Sequence, residues 1–535
     1  MTFTMANLNK YESFILQNLQ DKRIKVSSEL CQLLEDSFQV TNINARKIIQ
    51  RATIKEIIKS SNPLTFGKGQ YAYCKPSTNF TKDRIKVICK KYRPTLYRLL
   101  VALDINDGIL SYYEALKITA SPLINGISKV DYLDDLISLL LKFEIVYVKR
   151  DKNLVNYLIL KIKKEKEEAL MNSHFSKMIV DTAFIKDIID WIIKSNLLDN
   201  KNIIYRNKNN PSKGAKHNNL VWDAFGYTKT TGINPSLAKD SNIPEKQTLV
   251  VLDVLISRDY EQIDLDGFLN RIQINLNSVS KGKRKVVPVI VYKNSTSLIL
   301  NKIKKLGFLS YDIGSIYGSN ILSILENISK LQINQKLLEE DDFEKIIEDT
   351  LTTIDISGQS DQLKAIKGTL FEVIMYQVLK HQYPNAEIKP NFYYKKSIVN
   401  KEDDSVSYEG YEYDYIIKSS NPKEIIVVEL KGYKSTYAIP LGDYKTKNTI
   451  GWFFKKTLPF IKEKFKTDIG EGYAFKGCYI TSSEYTQEAI DDLEKLKEGS
   501  FKPKKLDIYY NRQKLFDFLL ENDFKNLQSI IEKFY

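Results

Sequence analysis

The chain has 535 residues, more than a single hydrophobic core organises, so three or four domains are expected. Its net charge of +14 and pI near 9.1 favour a polyanionic partner such as nucleic acid, although the Lys-, Ile- and Asn-rich usage of an AT-rich genome has the same effect. Four scattered cysteines without a C-x-x-C pair and three distant histidines argue against a zinc site or disulfide framework and fit a reducing cytoplasm, and no stretch reads as a secretory leader or a membrane span, the run Leu136 to Val148 being broken by Lys142 and Glu144.

Residues 1–90 read as a helical module. Leu8 to Leu19 is helix-like, Ser27 or Ser28 caps a second helix through Phe38, and Thr41 caps a third from Asn42 to Ala52. On the third helix Ala45, Ile48, Ile49 and Ala52 form an apolar stripe, while Asn44, Arg46, Lys47, Gln50 and Arg51 make a polar face that suits a DNA groove. The stretch Asn62 to Tyr73, with Gly67-Lys68-Gly69 at its tip, follows these helices as a wing would. The module resembles a winged helix, which implies nucleic-acid contacts from Asn44, Lys47, Gln50, Arg51 and Lys68; winged helices also bind proteins. A second winged-helix-like unit is expected at 91–170, with helices at Leu96 to Leu103, Ser111 to Ile118 and Val130 to Leu141 and a hairpin from Ile145 to Leu160. Asp131, Asp134 and Asp135 on its third helix would repel phosphates, which favours a scaffold or protein contact there.

Residues 171–335 read as an α/β domain: a helix from Phe175 to Leu197, strands around Ile203 to Arg206, Leu220 to Phe225, Leu249 to Ile256, Val286 to Tyr292 and Phe308 to Tyr311, and helices between. Lys201, Arg206, Lys208, Lys213, Lys216 and the run Lys281 to Lys285 are either phosphate-holding loops or solvated turns. The acidic run Glu339 to Asp342 marks the start of a last domain, 336–535.

In that domain Glu412-Tyr413-Asp414 precedes Ile425-Ile426-Val427-Val428-Glu429-Leu430-Lys431. Residues two apart share a strand face, so Glu429 and Lys431 point together, and an apolar strand buried on both faces makes an unpaired charge costly. A divalent metal such as Mg²⁺, with Mn²⁺ as a substitute, is a fitting partner, held by Asp414 and Glu429 with substrate phosphate oxygens. Lys431 would position a water or stabilise the transition state. Glu372, on a helix opened by Gly368 and apolar almost all round, reads as an auxiliary ligand or orienting group. Lys434, Lys445 and Lys447 follow among aromatics, a surface suited to a nucleic-acid backbone.

Helix with Glu372, strand with Asp414, strand with Glu429-Leu430-Lys431, then helix: this order, over roughly 335–535, resembles the PD-(D/E)XK nuclease superfamily, with Tyr413 in place of the usual Pro. The resemblance implies a restriction endonuclease-like mixed α/β core and Mg²⁺-dependent cleavage of nucleic acid. Asp223 and Asp253 fall in the strand layout of the middle domain where Asp414 and Glu429 fall later, with Leu255 at the Lys position, so that domain reads either as a degenerate, catalytically weak or dead copy or as another α/β fold. The expectation is thus a multidomain α/β DNA endonuclease of restriction or anti-phage defence, acting as a homodimer or with an accessory subunit. A nuclease effector gated by a partner protein and a non-catalytic DNA-binding scaffold stand beside it.

Overall fold

The computed structural model describes residues 8–20, 23–67, 69–124, 131–151, 153–207, 211–229, 248–278, 285–334, 340–357, 363–399, 406–497 and 499–535. Lys68, Lys208, residues 281–284 and Glu339 lie outside them. The chain is mixed α/β and groups into two units, one of residues 1–175, 201–205 and 212–310, the other of residues 176–200, 206–211 and 311–535. Among the described residues no helix is long and apolar enough to cross a membrane.

The first unit opens with two modules built on one plan. Helices Lys10–Asn18, Ser27–Phe38 and Asn42–Ile54 accompany a three-stranded sheet, and helices Pro94–Ile105, Tyr112–Thr119 and Leu133–Lys142 accompany another. In each, a short strand lies between the first two helices and pairs with the last strand of the module. Asn9 starts the first helix with a capping box to Glu12, and Thr41 caps the third through the Asn44 N–H. The second helix differs from expectation. Val26 is its N-cap residue, because pairing with Ala72 holds Val26 in the sheet, and Glu29 accepts the Val26 N–H. The Ser27 hydroxyl donates instead to the Tyr71 carbonyl at 3.1 Å.

The same unit carries a five-stranded sheet in the order Leu309–Asp312, Val286–Tyr292, Thr248–Leu255, Ala224–Thr228, Ile204–Tyr205. Thr248–Leu255 is buried along its whole length, as an apolar run predicts. The strand expected at Leu220 to Phe225 is two strands, Leu220–Trp222 and Ala224–Thr228, bent apart at Asp223.

The helix expected from Phe175 to Leu197 is also divided, into Glu167–Ala183 and Ile185–Lys194. Just before the break the Thr182 hydroxyl donates to the Met178 and Ile179 carbonyls, competing for helix acceptors. The helix of Glu372 runs Lys364–Gln382, starting a turn before Gly368, and its Ala365 N–H is taken by the Asp187 carboxylate at 3.2 Å. A carboxylate from another helix thus caps a terminus that its own Leu363 cannot.

The second five-stranded sheet has the order Glu387–Val399, Val406–Ser420, Lys423–Lys431, Ala474–Thr481, Tyr509–Tyr510. Asp414 therefore stands on a strand of 15 residues rather than the short one from Tyr411 to Ile417, extended because it forms a long ribbon with Glu387–Val399. The first three strands are antiparallel, the last two parallel to Lys423–Lys431. A helical crossover joins Lys423–Lys431 to Ala474–Thr481, and it includes a π-turn over Phe453–Thr457. Phe453 and Phe454 are core residues there, with Tyr413, Ile425, Val427 and Tyr479.

Candidate active site

The antiparallel ladder between the strands of Asp414 and Glu429 ends at the pair Tyr415 and Val428. One step on, the Leu430 N–H donates not to a backbone carbonyl but to Asp414 Oδ2 at 2.7 Å. This bond orients the Asp414 carboxyl beside the point where Glu429 leaves the ladder. Glu429 and Lys431 share a face, and Lys431 Nζ reaches Glu429 Oε1 at 2.6 Å, with side-chain exposures of 15 % for Lys431 and 17 % for Glu429. The pair is open enough to meet solvent and buried enough for its charges to matter.

The end of the strand is pinned from both sides. The Thr481 hydroxyl and the Ser482 N–H both donate to the Lys431 carbonyl, at 2.9 Å and 3.2 Å. Gly432 lies so close to the Glu372 helix that a Cβ would sit 2.7 Å from the Phe371 Cβ, so only glycine admits this packing. Tyr415 donates to the Glu372 carbonyl at 3.0 Å. Tyr413, where the resembled family has Pro, fills the core and donates to the Thr457 carbonyl at 2.6 Å.

Burial pushes the Glu429 carboxyl up to about 7 against the pull of Lys431, and the charges of Asp414 and Glu372 push it the same way. Burial works against the Lys431 ammonium, yet Glu429, Asp414 and the Tyr479 phenol together hold its pKa well above the usual lysine range. Tyr479 is the ladder neighbour of Glu429 on the parallel strand, is 1 % exposed, and has a hydroxyl with no hydrogen-bond partner among the described residues. Sequence reading missed it, because only strand pairing places it there.

Two carboxylates and an orphaned hydroxyl offer the hard oxygen donors that a divalent cation takes, while the Lys431 ammonium suits an anion beside it. Among the described residues no three His, Cys, Asp or Glu side chains are gathered as a ligand group, so Glu372 contributes its field without completing a cage. Ligands beyond Asp414 and Glu429 would be water and substrate oxygen, the usual arrangement for Mg²⁺.

No protein-family model, curated protein or solved structure matches this chain.

The remaining candidates lie elsewhere. Lys434, Lys445 and Lys447 are exposed on the loop after Lys431, where the Asp443 carboxylate accepts from the Lys445 and Thr446 N–H groups at 2.8 Å and shapes the turn. Lys445 lies over the Tyr444 ring. In the other unit, Asn44, Lys47, Gln50 and Arg51 are exposed along one helix while Ala45, Ile49 and Ala52 are buried; Lys68 falls outside the described residues. Asp131 pairs with Arg93 at 3.1 Å and Asp134 accepts from the Tyr112 hydroxyl.

Proposed function

We propose that this chain is a metal-dependent phosphodiester hydrolase acting on DNA, cutting at Asp414, Glu429 and Lys431. The observation that carries the reading is the Leu430 N–H bond to Asp414 beside the Glu429 and Lys431 ion pair, which aims two carboxylates and one ammonium at the same strand end. A divalent ion held there would activate water and offset charge on the phosphate. Glu429 and Asp414 would supply its oxygen ligands, and the Leu430 N–H keeps the Asp414 carboxyl in register with Glu429. Lys431, held charged by its acidic neighbours, donates to the phosphate oxygens as negative charge builds on them. Glu372 biases the protonation of Glu429 from the adjoining helix.

In this reading residues 336–535 form the restriction endonuclease-like catalytic domain and 1–90 and 91–170 are winged-helix modules. The exposed row Asn44, Lys47, Gln50 and Arg51 supports groove contact by the first module, and the paired aspartates of the second support a scaffold role. A defence role by restriction fits a recognition module joined to a cutting domain. The alternative is a scaffold that binds DNA without hydrolysing it.

Supercoiled plasmid incubated with the full chain and Mg²⁺ or Mn²⁺ separates the two. Cutting that is lost in chelator and falls by about 100-fold or more in Glu429→Gln and Lys431→Ala supports hydrolysis. DNA binding without cutting by the wild type supports the scaffold.

A further inference from the structure

The first unit contains the same strand arrangement as the candidate site, with different chemistry. Its antiparallel ladder ends at Ala224 and Leu252, and one step on the Val254 N–H donates to Asp223 Oδ2 at 2.8 Å. Asp223 and Asp253 therefore stand to each other as Asp414 and Glu429 do, the next strand again being parallel and reached through a helix.

The cations differ. Leu255 occupies the place of Lys431, but an ammonium arrives from another element: Lys117, on the helix Tyr112–Thr119, pairs with Asp223 and, at 3.0 Å, with Asp253. Arg271 adds a second positive charge, 2.8 Å from Asp253, with its guanidinium over the Trp222 ring and its other nitrogen on the Val221 carbonyl. Tyr113 donates to Asp223 at 2.7 Å and Tyr260 to Asp253 at 3.0 Å. Two carboxylates meet two internal cations, and Asp223 and Asp253 are 0 % and 2 % exposed. The packing is built for this. A Cβ at Gly267 would lie 2.8 Å from the Lys117 carbonyl, and one at Gly214 would overlap the Tyr113 ring. Lys117 and Arg271 outweigh burial and hold the Asp253 carboxyl down at about 2.

We infer that this second centre excludes metal, its cation position being filled by Lys117 and Arg271, so that Asp414, Glu429 and Lys431 form the one cutting centre among the described residues and the primary product is a nick. The inference rests on the proposed hydrolysis. In each event a water oxygen bonds to phosphorus, one P–O ester bond breaks, and the leaving oxygen takes a proton, giving one phosphate end and one hydroxyl end. A double-strand break then needs a second chain or a second encounter.

The test follows supercoiled plasmid and Mn²⁺ binding with the full chain. The expected result is a single tight Mn²⁺ per chain, lost in Glu429→Gln and kept in Asp253→Asn and Asp223→Asn, with cutting by these two variants within about twofold of wild type. Two Mn²⁺ per wild-type chain, or an Asp253→Asn variant that turns a linearising protein into a nicking one, would overturn it. If both variants fail to fold by circular dichroism, the wild-type Mn²⁺ count decides alone. A wild type that neither cuts nor binds Mn²⁺ fails the hydrolase reading while leaving the second centre metal-free; Mn²⁺ lost only in Asp253→Asn refutes the inference without cutting data.

Discussion

Asp187 couples the stability of the second unit to pH. It is 3 % exposed, accepts the Ala365 N–H at the start of the Glu372 helix, and has an Oδ2 without a hydrogen-bond partner among the described residues. Burial raises its carboxyl to about 7, the Ala365 and Ile366 N–H groups pulling down and Asp190 pushing up. An unfolded aspartate titrates near 3.9, so below about pH 4 both states hold the proton and no penalty arises. Between about 4 and 7 the unfolded chain releases a proton that the folded chain keeps, and folding loses ~1.4 kcal/mol per pH unit, saturating near 4 kcal/mol above the folded pKa. Asp187→Asn cannot ionise. Relative to wild type it gains about 1.5 kcal/mol at pH 5 and about 4 kcal/mol at pH 8, less a pH-independent cost of ~1–3 kcal/mol for an amide NH₂ without an acceptor. The difference between the two pH values, about 2.5 kcal/mol, is free of that cost and corresponds to roughly 5–10 °C in the melting of a unit this large. Differential scanning calorimetry of both proteins at pH 5 and pH 8 measures it. A melting difference that is the same at both pH values would refute the buried, ionising Asp187.

Two further outcomes test the site and its partner. Tyr479→Phe removes a buried hydroxyl that no described residue satisfies, so the melting temperature should hold or rise while plasmid cutting falls about 10-fold; unchanged cutting would remove Tyr479 from the site. Replacing Lys47 and Arg51 together by Ala should lower the slope of log affinity against log salt for duplex DNA by about 1–2, read by fluorescence anisotropy, and an unaltered slope would move the DNA contact off this helix.

Local pattern was enough to reveal much of the scaffold. The apolar runs Leu249 to Leu252 and Ile425 to Val428 mark the strands Thr248–Leu255 and Lys423–Lys431 as buried in the sheet because a strand covered on both faces tolerates little else. The stripe of Ala45, Ile49 and Ala52 marks a helix because side chains three and four apart share one face. That Glu429 and Lys431 share a face was legible for the same reason, as a strand period, whereas the place of Asp414 beside them is set by the register of its own strand. What lies between elements was not. Lys117 is more than one hundred residues before Asp223, and no local period ties an ammonium on one helix to carboxylates on a distant sheet. Tyr479 beside Glu429, Asp187 at the start of the Glu372 helix and Gly432 against Phe371 are likewise products of register and packing. Periodicity records which face of an element is buried, whereas the partners of a buried charge are set by which faces meet, and that is decided only when the chain folds.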